Sequence, residues 1–135
     1  MRGYSAATTA LALNADPKWL DNLLSQNRVY GVTQTKQGVQ RRLAPDALHI
    51  IATVHQLNRD LQVPVAAALG FAHELWRRPD GSPSDIAEIR IGEIALRLSR
   101  AEVRARVEGA LAEALEMAPR TRRGRPPGKG GRAGE

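Results

Sequence analysis

The stretch Leu13-Asn14-Ala15-Asp16-Pro17 constrains the fold more than any other part of the chain. Asp16 followed by Pro17 reads as a helix N-cap followed by proline at the first helical position, where a missing N–H costs nothing. Asn14-Ala15 breaks the run that precedes it. That run, with Ser5 as its cap, predicts a helix over residues 6–13 with Ala7, Ala10 and Leu11 on its inner side. A second helix is expected over 17–25, with Trp19 or Leu20 joining Leu23 and Leu24 as its apolar face. Two short helices joined by a tight turn have the basic geometry of a helix-turn-helix.

The next segment changes character. Val32 begins an extended stretch, Val39 to Leu43 forms another, and Thr35-Lys36-Gln37-Gly38 reads as the short hairpin loop between them. Lys36 falls at the tip, and Arg41 and Arg42 fall on the return arm. A hairpin directly after a helix-turn-helix is a wing. Two longer helices are expected to follow. One is capped by Asp46 and carries Leu48, Ile50, Ile51, Val54 and Leu57 as an apolar stripe. The other runs from about Pro64 to Trp76 and keeps the period with Val65, Ala68, Leu69, Ala72 and Leu75 or Trp76. Residues 79–85 read as a solvated linker.

Beyond the linker, Ile89/Ile91 and Ile94/Leu96/Leu98 alternate, which predicts two short strands turning near Gly92. Ser99 and Glu102 fit an S-x-x-E capping box and open a helix over 100–118, which Pro119 ends. Val103, Val107, Leu111 and Leu115 repeat every four residues along that helix. The stripe either covers the rest of the C-terminal part or pairs with a symmetric copy. Little else in residues 80–118 can cover it, so residues 86–118 are read as a small α/β dimerisation unit and a homodimer is expected. From Pro119 to Glu135 there is no periodicity, and this tail is expected to be disordered when alone.

Charge is unevenly spread over the 135 residues. Residues 1–42 carry six basic and two acidic residues, and residues 119–135 carry six basic residues against Glu135. The middle of the chain is mildly acidic. Two basic ends favour a polyanionic partner. The chain has no cysteine, which removes disulfides, thiolate zinc sites and a cysteine nucleophile. His49 and His55 are six apart, so they do not stack at the i,i+4 spacing of a helical metal pair. No nucleophile–base arrangement or phosphate loop is visible, and no catalytic role, metal or cofactor is expected. No window is apolar enough to span a membrane and no signal-peptide pattern opens the chain, so a cytoplasmic, nucleoid-associated protein is expected.

The order of elements resembles the winged helix-turn-helix domain of the MerR family of bacterial regulators, over residues 1–76. Tyr4-Ser5 and Ala10 match the opening of that domain. Asp16-Pro17-Lys18-Trp19-Leu20 matches the start of its recognition helix, Gly38 to Leu48 ("GVQRRLAPDAL") its wing signature, and "LNRDLQVPVAAAL" its following helix pair. The resemblance implies duplex DNA binding, usually as a dimer, with the second helix in the major groove and the wing on the backbone or minor groove. It places Lys18 and Trp19 at the groove and Arg41 and Arg42 on the wing. Four positions depart from the family. The phosphate-contacting arginine expected after Leu20 is Asp21, the aromatic after it is Asn22, and the glycine-leucine after the recognition helix is Arg28-Val29. An acidic residue would repel phosphate. Either Asp21 pairs with a neighbouring base such as Lys18, or this helix docks differently. The long antiparallel dimerisation helix of the family is also missing.

The tail resembles an AT-hook. Its Arg-Gly-Arg-Pro core is Arg123-Gly124-Arg125-Pro126, with Arg122 before it and Lys129 after it. The minor groove is roughly 6 Å wide and narrows over A-tracts, where negative potential concentrates. Gly124 brings no side chain to the groove floor, Pro126 favours an extended chain at Arg125, and the two arginines can lie along the groove.

These readings describe a mainly α protein. A MerR-like winged helix-turn-helix domain (1–78) is followed by a linker (79–85), an α/β dimerisation unit (86–118) and a disordered basic AT-hook-like tail (119–135). The expected function is sequence-recognising binding of double-stranded DNA in transcription regulation, through Lys18, Trp19, Arg28, Lys36, Arg41, Arg42 and the tail. Two alternatives remain at this point. One is an architectural DNA-binding protein, such as an excision, partition or nucleoid factor. The other is an antitoxin-like adaptor whose 103–115 stripe grips an unidentified protein partner. No membrane association is expected.

Overall fold

The computed structural model describes residues 3–33, 41–77 and 85–117. Lys36 and the whole Arg122–Lys129 motif lie outside them. The described residues form a mainly helical protein with five helices and two small two-stranded antiparallel sheets.

Helix α1 (Ala6–Leu13) is capped by Ser5, whose hydroxyl accepts from the Thr8 N–H at 3.1 Å. It ends on Asn14 at φ 53°, a left-handed turn that asparagine tolerates. Its buried residues are Thr9, Ala10 and Leu13, whereas Ala7 and Leu11 face outward. The inner face is therefore rotated from the one the sequence suggested, because α1 packs on the last of the described helices as well as on the second. Helix α2 (Pro17–Gln26) starts as expected, with the Asp16 carboxylate accepting from the Lys18 N–H at 2.8 Å. Leu20, Leu23 and Leu24 are its buried face.

Strands β1 (Val32–Thr33) and β2 (Arg42–Leu43) pair antiparallel, Val32 with Leu43 and Thr33 with Arg42. Tyr4 bridges Leu43 from the other side, each backbone N–H donating to the other's carbonyl at 2.8 Å. Gly31 allows the chain to enter β1. Its φ is 91°, and a Cβ there would stand 3.0 Å from the Ala47 nitrogen. Helix α3 (Pro45–Leu61) is the core element, and Leu48, Ile51 and Val54 on it are fully covered. Burying each of these side chains is worth about 1.5–3 kcal/mol. Asp46 does not cap α3. The N-cap is Ala44, which has no side-chain acceptor, and Asp46 sits inside the first turn where it complements the helix dipole.

Helix α4 (Val65–Trp76) packs on α3 through Ala68, Leu69, Ala72 and Leu75. Strands β3 (Ile86–Ile91) and β4 (Ile94–Ser99) form the expected second hairpin, turning at Gly92. Helix α5 (Arg100–Met117) begins where the Ser99 hydroxyl accepts from the Glu102 N–H at 3.2 Å.

The packing of α5 departs from the sequence reading. Val103, Val107 and Leu111 belong to the same buried cluster as α1 and α3, and Ala114 is covered too. Of the four stripe residues, Leu115 stays half exposed. While this packing holds, the stripe cannot also be a dimer seam or grip a protein partner. Sequence spacing identified an apolar face but not what covers it, and α1 and α3 lie close enough to do so. Among the described residues no helix is long and apolar enough to cross a membrane.

Candidate nucleic-acid interface

The exposed side of α2 carries Lys18, Asp21, Asn22, Ser25 and Gln26. Helical spacing brings Lys18, Asp21 or Asn22, and Ser25 onto one face, opposite the buried leucines. The arm of the first hairpin reaches this face. Arg41 Nη1 donates to Asp21 Oδ1 at 3.2 Å, with the Arg41 side chain 22 % exposed and that of Asp21 68 %. Asp21 therefore has a basic partner, but that partner is Arg41, twenty residues away, and not Lys18. An ion pair at this exposure contributes at most about 1 kcal/mol. Its consequence is positional, since it joins a helix face to a strand arm.

The other nominated residues are scattered by comparison. Arg42 points the opposite way along β2, and its Nη2 donates to the Gly3 carbonyl at 3.3 Å. Arg28 is exposed just past α2 and borders a shallow depression with Ser25 and Val32. Trp19 is half-buried against the core, its ring edge-on to His55 with centroids 5.0 Å apart. Its surface is largely occupied within the fold. The structure thus brings Lys18 and Arg41 to one face, with Arg28 at its far end, and takes Arg42 and Trp19 elsewhere. Asn22 and Gln26 were missed as candidates. Their i+4 and i+8 spacing from Lys18 was legible, and amide side chains are suited to reading base edges.

A separate cleft of about 960 Å³ opens between α3, α4 and α5, lined by Tyr30, Asp46, His49, His73, Trp76 and Arg104 among others. His49 stacks on Trp76 with ring centroids 4.9 Å apart and an interplanar angle of 19°. Burial lowers the His49 pKa, Arg104 adds to the shift, and Asp46 and Glu108 oppose it. Trp76 Nε1 donates to the Thr53 hydroxyl at 2.8 Å, which donates on to the His49 carbonyl at 3.0 Å. His73 Nε2 accepts from the Tyr30 N–H at 3.2 Å. Arg104 donates to Asp85 at 2.6 Å across the rim. The polar groups of this cleft are largely engaged with one another. Among the described residues no group of three or more acidic or histidine side chains could hold a metal ion.

No protein-family model, curated protein or solved structure matches the chain.

Proposed function

We propose that this chain binds double-stranded DNA as a winged helix-turn-helix protein similar to the MerR family over residues 1–76, and that it regulates transcription. The Asp21–Arg41 contact carries the proposal, because it makes the exposed face of α2 continuous with the hairpin arm. In this reading α1 and α2 are the helix-turn-helix and β1 and β2 the wing. Lys18 enters the major groove with Asn22 and Gln26 facing base edges. Arg41 meets phosphate beside Asp21, which holds the guanidinium at this face and adds one negative charge to it. Arg28, Arg42 and Lys36 supply further backbone contacts. Phosphate contacts position the protein and base contacts specify the site.

The basic tail has a separate role in this proposal. Arg122, Arg123, Arg125 and Lys129 follow the minor groove of A·T-rich flanks, with Gly124 and Pro126 in the places they hold in the Arg-Gly-Arg-Pro core. Selection of bound duplexes from a random pool, with the full chain and a 1–118 truncation in parallel, tests both parts. The expected result is one preferred site for both proteins, with A·T enrichment of its flanks for the full chain only. Duplex binding without salt dependence would overturn the reading, since phosphate contacts release counterions.

A further inference from the structure

Among the described residues, β3 pairs with β4 alone, which leaves its outer edge open from Glu88 to Arg90. Ile91 pairs with Ile94 across Gly92 and Glu93. Gly92 has φ 63° and Glu93 has no positive φ, the pattern of a two-residue II′ turn. In such a hairpin the residues flanking the turn exchange hydrogen bonds, and bonded pairs recur at every second position. Ile91, Ile89 and Ala87 therefore direct their N–H and C=O groups at β4. Glu88 and Arg90 direct theirs outward, and among the described residues no backbone group engages either of them.

The side chains alternate with equal clarity. Ala87, Ile89 and Ile91 share one face with Leu98, Leu96 and Ile94. At its base this face is covered, with Ala87 6 % exposed and Leu98 against the core. At its tip Ile91 and Ile94 are 47 % and 64 % exposed. The opposite face carries Glu88, Arg90 and Arg97, linked by ion pairs of 3.5 Å that contribute little at such exposure.

We propose that the β3 edge binds a second copy of this chain, pairing antiparallel with itself about Ile89. Two-fold symmetry then sets Glu88 opposite Arg90 of the partner subunit and Arg90 opposite Glu88 of the partner subunit. Both are the outward-directed positions, so each pair exchanges backbone hydrogen bonds and also joins opposite charges. The two copies of Ile89 face each other, and Ile91 of the partner subunit lands beside Ala87, next to the core. A pair of two-stranded ribbons, each marginal alone, becomes one four-stranded sheet with a continuous apolar face. The β4 edge lacks this property. Pairing about Leu96 sets Arg97 opposite Ala95, and pairing about Arg97 sets like charges together. The inference rests on the hairpin and is independent of DNA binding.

Sedimentation equilibrium of the full chain tests it. The wild-type protein is expected to show a monomer–dimer equilibrium. E88R or R90E turns both symmetry-related pairs repulsive, and each should weaken the dimer by roughly tenfold. An equimolar mixture of the two variants makes every cross-pair attractive again, and heterodimers should form within about threefold of the wild-type affinity. This rescue is intermolecular, so it cannot come from repair of either hairpin. A wild-type monomer at high micromolar concentration would overturn the proposal. So would single variants that dimerise normally, or a mixture that stays as dissociated as its components.

Discussion

Arg100 Nε donates to the carbonyl oxygen of Leu75 at 2.9 Å, from a residue only 6 % exposed. Its Nη2 donates to the Arg77 carbonyl at 3.0 Å. One guanidinium at the start of α5 thus satisfies carbonyls at the end of α4 that no intrahelical N–H can reach, at the negative end of that helix dipole. Arg100→Met is expected to cost about 3 kcal/mol in denaturant unfolding. Arg100→Lys should recover less than half of that, because an ammonium cannot reproduce the planar fork. A methionine variant as stable as wild type would show that the contact is incidental.

Asp21 and Arg41 give opposite expectations for DNA. Arg41→Ala should weaken duplex binding for all sequences alike and lower the salt slope by about one unit. Asp21→Asn removes a negative charge from the binding face and should tighten binding at low salt. Neither change should move stability by more than about 1 kcal/mol. Fluorescence anisotropy over a salt series reads the first two effects and chemical denaturation the third. Equal loss of affinity in both variants would mean that the ion pair itself, and not the arginine charge, is what binding needs.

Val107 is 1 % exposed within the chain's own core. Val107→Ala should cost about 2 kcal/mol, and Leu115→Ala, at a half-exposed site, less than about 0.5 kcal/mol. If the stripe serves the monomer, the Val107→Ala deficit is the same at every protein concentration. A deficit that vanishes on dilution would place Val107 in a subunit interface.

The histidines give the fold a pH dependence. Burial lowers the pKa of both His49 and His55, with Arg104 reinforcing it at His49 and Arg59 at His55. The folded state then binds fewer protons than the unfolded chain, whose histidines titrate near about 6.5. Their contribution to stability is full above that pH and is lost as pH falls below it towards the folded values. The thermal midpoint should therefore decline between about pH 7.5 and about pH 5.5. His49→Phe keeps a ring against Trp76 and should flatten the decline. A midpoint that rises on acidification over this range would contradict the assignment.

Local signals carried far along this chain. The Ser5 and Asp16 caps, the Pro17 start, the turn at Gly92 and the Ser99 cap all involve groups within four residues of each other, so they are legible from spacing. Leu48, Ile51 and Val54 were equally legible, because a stripe that is apolar on a helix between two others has to be buried. The cap at α3 was misread because aspartate suits both an N-cap and a first turn, and only the path of the Ala44 backbone distinguishes them. The candidate site was half legible. Lys18 and Arg41 were visible as charges, but their shared face depends on Asp21 meeting a residue twenty positions away.

By itself, then, the sequence determined the order of the elements and the starts of α1, α2 and α5, since helix caps, periodicity and turn residues act over a few bonds. Tertiary structure alone decided which surfaces meet. It turned Val103, Val107 and Leu111 inward onto α1 and α3, where a spacing argument had left them for a partner. It seated Arg100 on the end of α4 and gave Asp21 to Arg41. An apolar stripe or a charge records only that something must cover or pair it. The choice among candidates is made by distances in space, which no local pattern encodes.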